Sequence, residues 1–414
     1  MAKKSDYLNK KSLVKHIDIT AVRDLDKLVA MMGDTSFQAR NLSRAADIYD
    51  MALRDKGCNV ILCLAGSLVS AGLKKVIVDL VNSNMVDAIV STGAVVVDQD
   101  FFEGLGYSHY KGTQFVDDAE LRELAIDRIY DHYIDEDELR VCDDTMTKIF
   151  DSLEPRPYAS REVIYEMGRY LTKNGKKHDG FVEACFNKNV PIFVPAFSDC
   201  SAGFGIVLHQ HRALQAGKPM CSIDSGRDFL DLTYLKMHAG KETGIVMIGG
   251  GVPKNFTQDI VVAAEVLGME DIPMHKYAVQ LTVADERDGA LSGSTLKEAS
   301  SWGKVDLNYE QMVFGEATVT FPLLAGAVYA RGAHKERKGR ELAKYFEGAD
   351  FVAKAAAKTE KKSKHKSDKK KDKKAAKKAA EKAKKAEKKA KKESKKKSEK
   401  KSKSKKKSEK MLVA

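Results

Sequence analysis

The segment "NVILCLAGSLVSAGLKKVIVDLVNSNMVDAIVSTG", residues 59–93, holds the pattern that determines the predicted fold. An apolar run rich in Val, Ile and Leu ends at "AG", a stretch with helical spacing follows, and a second apolar run ends at "STG". Short apolar runs bounded by small residues are typical of strands that are buried on both faces of a sheet. Strand, glycine turn, helix and strand in this order predict a right-handed crossover between parallel strands.

The strand pattern recurs along the chain, in "VPIFVPAF" (190–197), "GIVMIGGG" (244–251) and "YAVQLTV" (277–283). We therefore predict an α/β fold: a doubly wound, mainly parallel, Rossmann-like sheet with helices on both faces. Residues 1–56 have an amphipathic period and are predicted to be a helical N-terminal segment, and residues 118–180 are predicted to be mostly helical. In such sheets a ligand binds at the carboxyl ends of the strands, where the glycine-rich turns lie.

The 414 residues carry a net charge of +12, which is divided unevenly. Residues 351–414 hold 30 of the 71 basic and 8 of the 59 acidic residues, so this tail has a net charge of +22 and residues 1–350 have −10. The tail consists mainly of Lys, Ala, Ser and Glu and cannot bury a core, which predicts disorder. It is either a solvated polycation or a segment that binds nucleic acid or another polyanion through phosphates. We predict one catalytic domain, 1–350, followed by the tail.

Six cysteines occur without a Cys-x-x-Cys pair, and the start of the chain has no apolar signal core. No apolar run approaches transmembrane length. These features predict a cytoplasmic protein with reduced thiols and no membrane partner. His209 and His211 lie in a segment that reads as helical, where their spacing directs them to nearly opposite faces, so no metal site is predicted.

Three turns bring small residues to the expected ligand edge: "AGSLVSAG" (65–72), "VSTGAVVVDQD" (90–100) and "IGGGVPKN" (248–255). Turns built from Gly, Ser and Thr allow backbone amides to approach a phosphate at a helix N-terminus. None of them matches the G-x-G-x-x-G fingerprint with an acidic residue about twenty positions later. The pattern alone fits a nucleotide site and tight strand-to-helix packing equally well.

The stretch "EASSWGKVD", residues 298–306, places Lys304 after the only tryptophan of the chain, Trp302, and Gly303. A lysine that is partly desolvated beside an aromatic ring has a lowered pKa, and its neutral amine is a nucleophile. The same string also fits a surface loop anchored by its indole.

Five motifs occur in the order and approximate spacing seen in deoxyhypusine synthase: "VSTGAVVVDQDFFEGLG", "VPIFVPAFSD", "MIGGGVPK", "DERDGALSGSTLKEASSWGK" and "FGEATVTFPLL". The resemblance covers roughly residues 10–345, and the run from Asp288 to Lys304 is its most specific part. It implies an NAD-dependent aminoalkyl transferase. In that family NAD dehydrogenates spermidine, and the imine passes its aminobutyl group to an enzyme lysine. The group then moves to an acceptor amine, and NADH reduces the final imine.

The resemblance also implies roles for individual residues. Lys304 would be the covalent carrier, beside an indole that faces a cationic polyamine. The NAD site would consist of Ser67, Ser70, Thr92, Gly93, Asp98, Asp199, Gly250, Ala284, Asp288, Glu316 and Ala317. The polyamine site would consist of Glu298, Trp302, Gly289, Phe204, Asn255 and Leu291. A homotetramer with active sites completed across subunit interfaces is implied as well.

Three of these positions depart from the family pattern. Phe204 and Leu291 stand where the family has carboxylates, and Asn255 stands where it has a histidine. Each lost charge-assisted contact to an ammonium group is worth about 1.5–3 kcal/mol. The departures suggest an altered donor or acceptor specificity, for example homospermidine formation. Two alternatives stay open: a strict deoxyhypusine synthase with a protein lysine acceptor on a translation factor, and a catalytically reduced NAD-binding scaffold with a polyanion-binding tail.

Overall fold

The computed structural model describes residues 3–8, 13–240, 242–269 and 271–347, and the structural statements below concern these residues. The predicted disordered tail, 351–414, lies outside them. The described ranges contain eleven strands: β1 Cys58–Leu64, β2 Ala88–Ser91, β3 Tyr110–Lys111, β4 Ile126–Ile129, β5 His132–Asp135, β6 Pro157–Tyr158, β7 Ile192–Phe193, β8 Ser222–Ile223, β9 Glu242–Ile248, β10 His275–Thr282 and β11 Val305–Phe314.

The helices alternate with these strands along most of the described chain. The α-helices are α1 Lys4–Tyr7, α2 Leu25–Met32, α3 Phe37–Arg54, α4 Lys74–Asn82, α5 Phe102–Gly104, α6 Asp118–Glu123, α7 Glu136–Ser152, α8 Ser160–Asn174, α9 Phe181–Lys188, α10 Ser201–Gln215, α11 Ser225–His238, α12 Gly251–Val266, α13 Leu296–Ser301 and α14 Ala317–Ala330. Two π-helical segments, Val69–Leu73 and Ala94–Phe101, follow β1 and β2.

Six strands form one sheet in the order β11-β10-β9-β1-β2-β7, and each neighbouring pair is parallel. The chain builds outward from β1 to β2 and β7, then returns to the other side of β1 with β9, β10 and β11. This order is that of a doubly wound Rossmann sheet, so the predicted fold class is confirmed. The direction of winding reverses between β1 and β9, where Leu64 pairs with Ile248.

Helices cover both faces of this sheet, which explains why its central strands are apolar throughout. In β1, Val60, Leu62 and Leu64 join the core beneath α3, α4, α8, α9 and α14. Ile61 and Cys63, which point to the opposite face, join a second core beneath α11, α12 and α13. Side chains alternate across a strand, so one apolar run supplies both cores.

The structure differs from the sequence expectation at two places. The predicted helical region 118–180 contains α6, α7 and α8, but it also contains β4 and β5, which form an antiparallel three-stranded sheet with β3. The edge strand β11 was not expected, because polar residues interrupt it. Within the predicted helical N-terminal segment, 1–56, the structure has α1, α2 and α3, whereas residues 13–24 contain only the 3-10 turn Ile19–Ala21. Within the described ranges, no helix has both the length and the apolar character needed to cross a membrane.

Candidate active site

The first and third glycine turns touch at the point where the sheet reverses its winding. The Ala65 amide donates to the Ile248 carbonyl over 3.0 Å. Gly249 has φ +82°, and a Cβ added to it would lie 2.9 Å from the Ala65 carbonyl oxygen. A side chain there would therefore meet both backbone strain and a backbone clash, so glycine is required for the two turns to approach.

The second turn packs against the loop that follows β7. The Thr92 amide donates to the Leu64 carbonyl over 3.2 Å, which ties this turn to β1. A Cβ added to Gly93 would lie 2.5 Å from the Cys200 Sγ atom. The neighbouring Asp199 is exposed on the same loop. The turns after β1, β2, β7 and β9 are thus adjacent at one edge of the sheet.

The π-helix Ala94–Phe101 presents buried carboxylates to two helix N-termini. Asp98 Oδ1 accepts from the amide of Ser201, at the start of α10, over 2.7 Å. Asp100 accepts from the first two amides of α9 over 2.9 and 2.8 Å. Burial raises the pKa of Asp98 to about 6 and the pKa of Asp100 to about 7. The structure therefore gives Asp98, a predicted cofactor residue, a role in positioning α10.

Between these two carboxylates, Gln99 binds the first turn. Its Oε1 atom accepts from the amides of Val69 and Ser70 over 3.0 and 3.2 Å. The Ser70 hydroxyl donates to the Ser67 carbonyl over 3.2 Å. The amides of Val69 and Ser70 therefore already have an acceptor within the chain, as tight packing of this turn requires.

The third turn leads into α12, the longest helix at this edge. A Cβ added to Gly250 would lie 2.6 Å from the Ser292 Cα atom, so the loop after β10 covers the turn closely. Gln280 Nε2 holds both partners, because it donates to the carbonyls of Gly249 and Ser292 over 3.0 and 3.1 Å. The first amides of a helix have no intrahelical acceptor and carry a partial positive charge. The start of α12 is therefore a suitable place for an anion.

The loop after β10 carries three more of the predicted site residues. The half-buried Ala284 donates its amide to the Thr282 hydroxyl over 3.1 Å. Asp288 is exposed and accepts from the Ala290 amide over 3.1 Å. Gly289 is also exposed, and a Cβ added to it would meet no atom within 4 Å. All three lie on the open side of the loop.

Glu316 and Ala317 lie beyond the carboxyl end of β11. Glu316 is the N-cap of α14, and its carboxylate accepts from the Thr318 amide over 2.8 Å and from the Thr318 hydroxyl. Partial burial opposes ionisation, but these hydrogen bonds hold the pKa of Glu316 below its ordinary value. Ala317 is the first residue of α14. This carboxylate, which the resemblance assigns to the NAD site, thus already caps a helix.

Lys304 lies at the other end of β11, immediately before the strand begins. Gly303 has φ +71° and turns the chain from α13 into the strand. The helix α12 connects this end to the glycine turns, since it starts at the carboxyl edge and runs back along the sheet. We call the side chains that α12 and α13 place around Lys304 the Lys304 cluster: Lys254, Asn255, Asp259, Glu298, Trp302 and Lys304.

An ion pair forms the centre of the Lys304 cluster. Asp259 Oδ1 lies 2.5 Å from Lys304 Nζ, and the Lys304 side chain is 12% exposed. Asn255 Nδ2 donates to the other oxygen, Asp259 Oδ2, over 2.8 Å. Asn255, a predicted polyamine residue, therefore contacts Asp259, which the sequence analysis did not identify.

The indole of Trp302 covers less of the Lys304 side chain than expected. Its side chain is 66% exposed, and the centroid of its ring lies 5.3 Å from Lys304 Nζ. The indole therefore does not account for the burial of Lys304, whose amine lies against Asp259 of α12. The open face of the indole remains accessible to another cation.

Lys254 is the second lysine of the cluster and is 1% exposed. Its Nζ atom donates to the Ser294 carbonyl and so attaches the loop before α13 to α12. Burial lowers the pKa of Lys254 to about 8, although the charge of Glu298 acts in the opposite direction. Glu298 itself is exposed in the first turn of α13, where its amide donates to the Thr295 hydroxyl over 3.0 Å.

A buried polar chain fixes the backbone of Lys304. The His275 amide donates to the Lys304 carbonyl over 2.9 Å. His275 Nε2 lies 3.0 Å from the Thr257 carbonyl, which only accepts, so this nitrogen carries the proton. Nδ1 then accepts from the Thr243 hydroxyl over 2.8 Å, and Lys236 Nζ donates to the same oxygen over 2.7 Å. Burial lowers the pKa of Lys236 to about 8, and burial together with Lys236 lowers that of His275 well below its ordinary value.

Phe204 and Leu291 lie on different parts of the sheet edge. Phe204 is in the first turn of α10 and is 67% exposed, and Leu291 begins a 3-10 turn after β10 and is 40% exposed. His209, farther along α10, uses both ring nitrogens within the chain: Nδ1 lies 2.6 Å from Asp151 Oδ1, and Nε2 accepts from the Cys221 amide over 3.0 Å.

The sequence matches the family model described as deoxyhypusine synthase over residues 27–328. A deoxyhypusine synthase-like protein from Elusimicrobium minutum is 58% identical over 353 residues, which are 84% of this chain and 93% of the relative. A deoxyhypusine synthase-like protein from Chlorobaculum parvum is 65% identical over 319 residues, which are 77% of this chain and 90% of the relative.

A solved structure from Entamoeba histolytica, assigned to the deoxyhypusine synthases, has the same fold. It superposes with a TM-score of 0.50 at 17% identity and covers 77% of this chain and 97% of the solved chain. At this identity the likeness concerns the fold alone.

Proposed function

The chain belongs to the deoxyhypusine synthase family, and on that premise we propose that it transfers a 4-aminobutyl group from a polyamine to an acceptor amine with NAD as cofactor. The observation that carries the proposal is the Lys304 cluster. It contains a largely buried lysine beside a carboxylate, with a second carboxylate and an exposed indole at its rim. The ion pairs of Lys15 and Lys75 lie in solvent with exposed partners, whereas Lys74 pairs with Glu103 at a burial similar to that of Lys304 but has no aromatic ring beside it among the cation–ring contacts of the described residues.

Lys304 is the proposed carrier. Its amine adds to an electrophilic imine carbon and holds the aminobutyl group as an imine until an acceptor amine displaces it. Trp302 offers an exposed aromatic face to a polyamine cation, and Glu298 offers an exposed carboxylate on the same short helix. These two side chains are the ones that we expect to orient the donor.

For NAD we propose the carboxyl edge of the sheet where β1 and β9 meet. The residues present fit this role: a Cβ added to Gly66 or Gly72 in the first turn would meet no atom within 4 Å, and α12 begins at the same edge of the sheet. When bound, NAD supplies the oxidant and the reductant that dehydrogenation and final reduction require. Gly250 and Gln280 keep the covering loop in place beside it.

The acceptor is proposed to be a small diamine rather than the family's protein lysine. Phe204 and Leu291 are exposed apolar residues at positions where the resemblance implies carboxylates. A site without these carboxylates binds fewer ammonium groups, which favours substrates with methylenes at those positions. Homospermidine, formed with putrescine as acceptor, is the product expected from this arrangement.

The test is product identification. The full chain is incubated with NAD and with spermidine, putrescine and related diamines in pairs, and the products are identified by mass spectrometry. Homospermidine from spermidine and putrescine supports the proposal. Release of diaminopropane only when a translation-factor lysine is supplied would instead indicate a strict deoxyhypusine synthase. If no pair of amines gives an NAD-dependent product, the result would support the alternative of a catalytically reduced NAD-binding scaffold.

A further inference from the structure

We infer that Asp259 is the proton acceptor and positioning residue of Lys304, and that Asn255 supports it. The inference rests on the proposed role of Lys304 as carrier and adds a residue that no motif indicated. An amine must be unprotonated to attack an imine carbon, so a lysine that begins as an ammonium group needs a base within reach.

The geometry places Asp259 in that position. Its Oδ1 atom lies 2.5 Å from Lys304 Nζ. Asn255, one turn earlier on α12, donates to Oδ2 over 2.8 Å and thereby leaves Oδ1 for the lysine. The neighbours of Asp259 on the helix, Gln258 and Ile260, are 2% and 0% exposed, so the carboxylate projects from a helix that is fixed in the core.

The other titratable groups around Lys304 are less suitable bases. His275, on β10, uses both ring nitrogens, and its lowered pKa keeps it neutral. Lys254 is a donor that is committed to the Ser294 carbonyl. Glu298, on α13, is exposed, and its charge acts on Lys254. Asp259 is the carboxylate that contacts the carrier directly.

The proposed step is balanced within the site. An N–H bond of the Lys304 ammonium breaks, and an O–H bond forms on Asp259 Oδ1. The freed electron pair on Nζ forms a bond to the imine carbon of the donor. The C=N electron pair of the protonated donor imine moves onto the donor nitrogen, which then takes the proton from Oδ1. The freed carboxylate takes a second proton from Nζ, whose electron pair forms the new C=N bond as the bond to the donor nitrogen breaks. The departing amine takes this proton from Oδ1 and leaves as an ammonium group, so the regained carboxylate lies beside the positive iminium nitrogen of the carrier. Asp259 is therefore the counter-ion of the carrier before and after transfer.

A purely structural ion pair between α12 and β11 is the competing explanation, and a reaction that needs neither NAD nor polyamine distinguishes the two. Reductive alkylation with propanal and cyanoborohydride proceeds through an imine at an unprotonated lysine. Peptide mass spectrometry then gives the extent of alkylation at Lys304 as a function of pH, separately from every other lysine.

The variants are Asp259→Asn, Asp259→Glu and, as a matched control, Asp55→Asn. Asp55 forms an ion pair with Lys276 over 2.7 Å at a different place. In Asp259→Asn we expect the pH midpoint of Lys304 alkylation to fall by about one pH unit or more, because an opposite charge has been removed. NAD-dependent turnover should fall at least about tenfold, because the asparagine side chain cannot accept the proton of Lys304. In Asp55→Asn, the alkylation of Lys276 should shift and that of Lys304 should not.

Asp259→Glu keeps the charge, so the pH midpoint of Lys304 alkylation should stay at its wild-type value. Its displaced carboxylate should lower NAD-dependent turnover several-fold. This variant tests the inference if Asp259→Asn does not fold. If the pH midpoint of Lys304 alkylation in Asp259→Asn equals that of the wild type, the inference is overturned, whether turnover is kept or lost. If Lys304 alkylation shifts as expected but the wild type turns over no polyamine, the proposed function fails and the pairing of Asp259 with Lys304 stands.

Discussion

Phe204 and Leu291 are separated by three strands of the parallel sheet, since Phe204 follows the edge strand β7 and Leu291 follows β10. At about 4.8 Å per strand, the two strands that precede them are roughly 19 Å apart. Both side chains are exposed. We propose that Phe204 and Leu291 form an apolar wall of the polyamine site, with one residue from each of two copies of the chain, as in the implied homotetramer with sites at its interfaces.

We predict that Phe204→Asp plus Leu291→Asp shifts selectivity toward spermidine. Burying an unpaired ammonium against Phe and Leu is unfavourable, and restored carboxylates would remove that penalty. The ratio of turnover efficiencies for spermidine and for competing diamines should change by about tenfold or more, which corresponds to about 1.4 kcal/mol.

Val207→Asp is the matched control, because Val207 is 61% exposed on the same helix as Phe204. It should leave the ratio unchanged. A wild type that already uses spermidine as efficiently as the double variant would show that these positions do not set specificity. A monomer by sedimentation with full activity would contradict the two-copy wall.

Lys304→Ala should abolish the covalent intermediate. Borohydride treatment in the presence of NAD and a polyamine donor reduces the carrier imine and leaves an aminoalkyl group on the lysine, which peptide mass spectrometry locates. Lys297→Ala, which removes an exposed lysine on the preceding helix α13, is the control and should keep the adduct. An undiminished adduct in Lys304→Ala would refute the assignment of the carrier.

NAD should stabilise the fold, because its proposed site joins several strand ends. At about 100 times the dissociation constant, the free energy of unfolding should rise by roughly 2.7 kcal/mol, measured by denaturant or thermal unfolding. Gly250→Ala should weaken this response, since its Cβ would collide with Ser292. Gly268 follows the far end of α12 and has φ +84°, so Gly268→Ala should destabilise the protein. This variant should keep the stabilisation by NAD. Absence of any shift in the wild type would argue against a dinucleotide site.

The buried Lys236 should make stability depend on pH in alkaline solution. Burial lowers its pKa to about 8 in the folded state, whereas an unfolded lysine titrates near 10.4. Between these values the unfolded chain binds more protons, so the free energy of unfolding rises with pH across this window. Relative to Lys236→Met, the wild type should gain roughly 2–3 kcal/mol from pH 8 to about 10.5.

The comparison uses urea unfolding of both proteins at several pH values. Lys56→Met, at an exposed position, is the control for loss of a surface charge. A difference between wild type and Lys236→Met that stays constant from pH 8 to 10.5 would show that Lys236 is not neutralised by burial.

The lysine-rich tail should give the full chain an affinity for polyphosphate or nucleic acid that falls steeply with salt. A chain ending at residue 350 should lose this binding and keep its transferase activity. Binding measured by anisotropy at several salt concentrations tests the expectation. Equal binding by both forms would assign the interaction to the acidic body.

The central strands could be predicted because helices cover both of their faces, which requires continuous apolar runs such as residues 59–66. The edge strand β11 lacks that requirement. Asp306, Asn308 and Glu310 alternate with larger side chains along it, and much of the strand is exposed. Such a segment resembles a polar loop until its partner β10 is known. The fold class and the edge strand β7 are therefore readable from the sequence, and the edge strand β11 is not.

Within the candidate site, the motif identifies Lys304 but not Asp259. Their contact depends on how the start of β11 is placed beside α12 in the fold, which brings together two residues that are distant in sequence. On a helix read in isolation, Asp259 is simply a polar residue. Its spacing of four from Asn255 is the one local signal, because it places both on the same face.

In the π-helix after β2, the number of residues matters more for the fold than the identity of any one side chain. Asp98, Gln99 and Asp100 are consecutive, yet each accepts amides from a different part of the fold. A substitution at one of them disturbs one attachment. Deleting a single residue from Ala94–Phe101 would shift the register of all three at once, and neighbouring acceptors could not compensate. Across related sequences, this stretch should accumulate substitutions while insertions and deletions are eliminated.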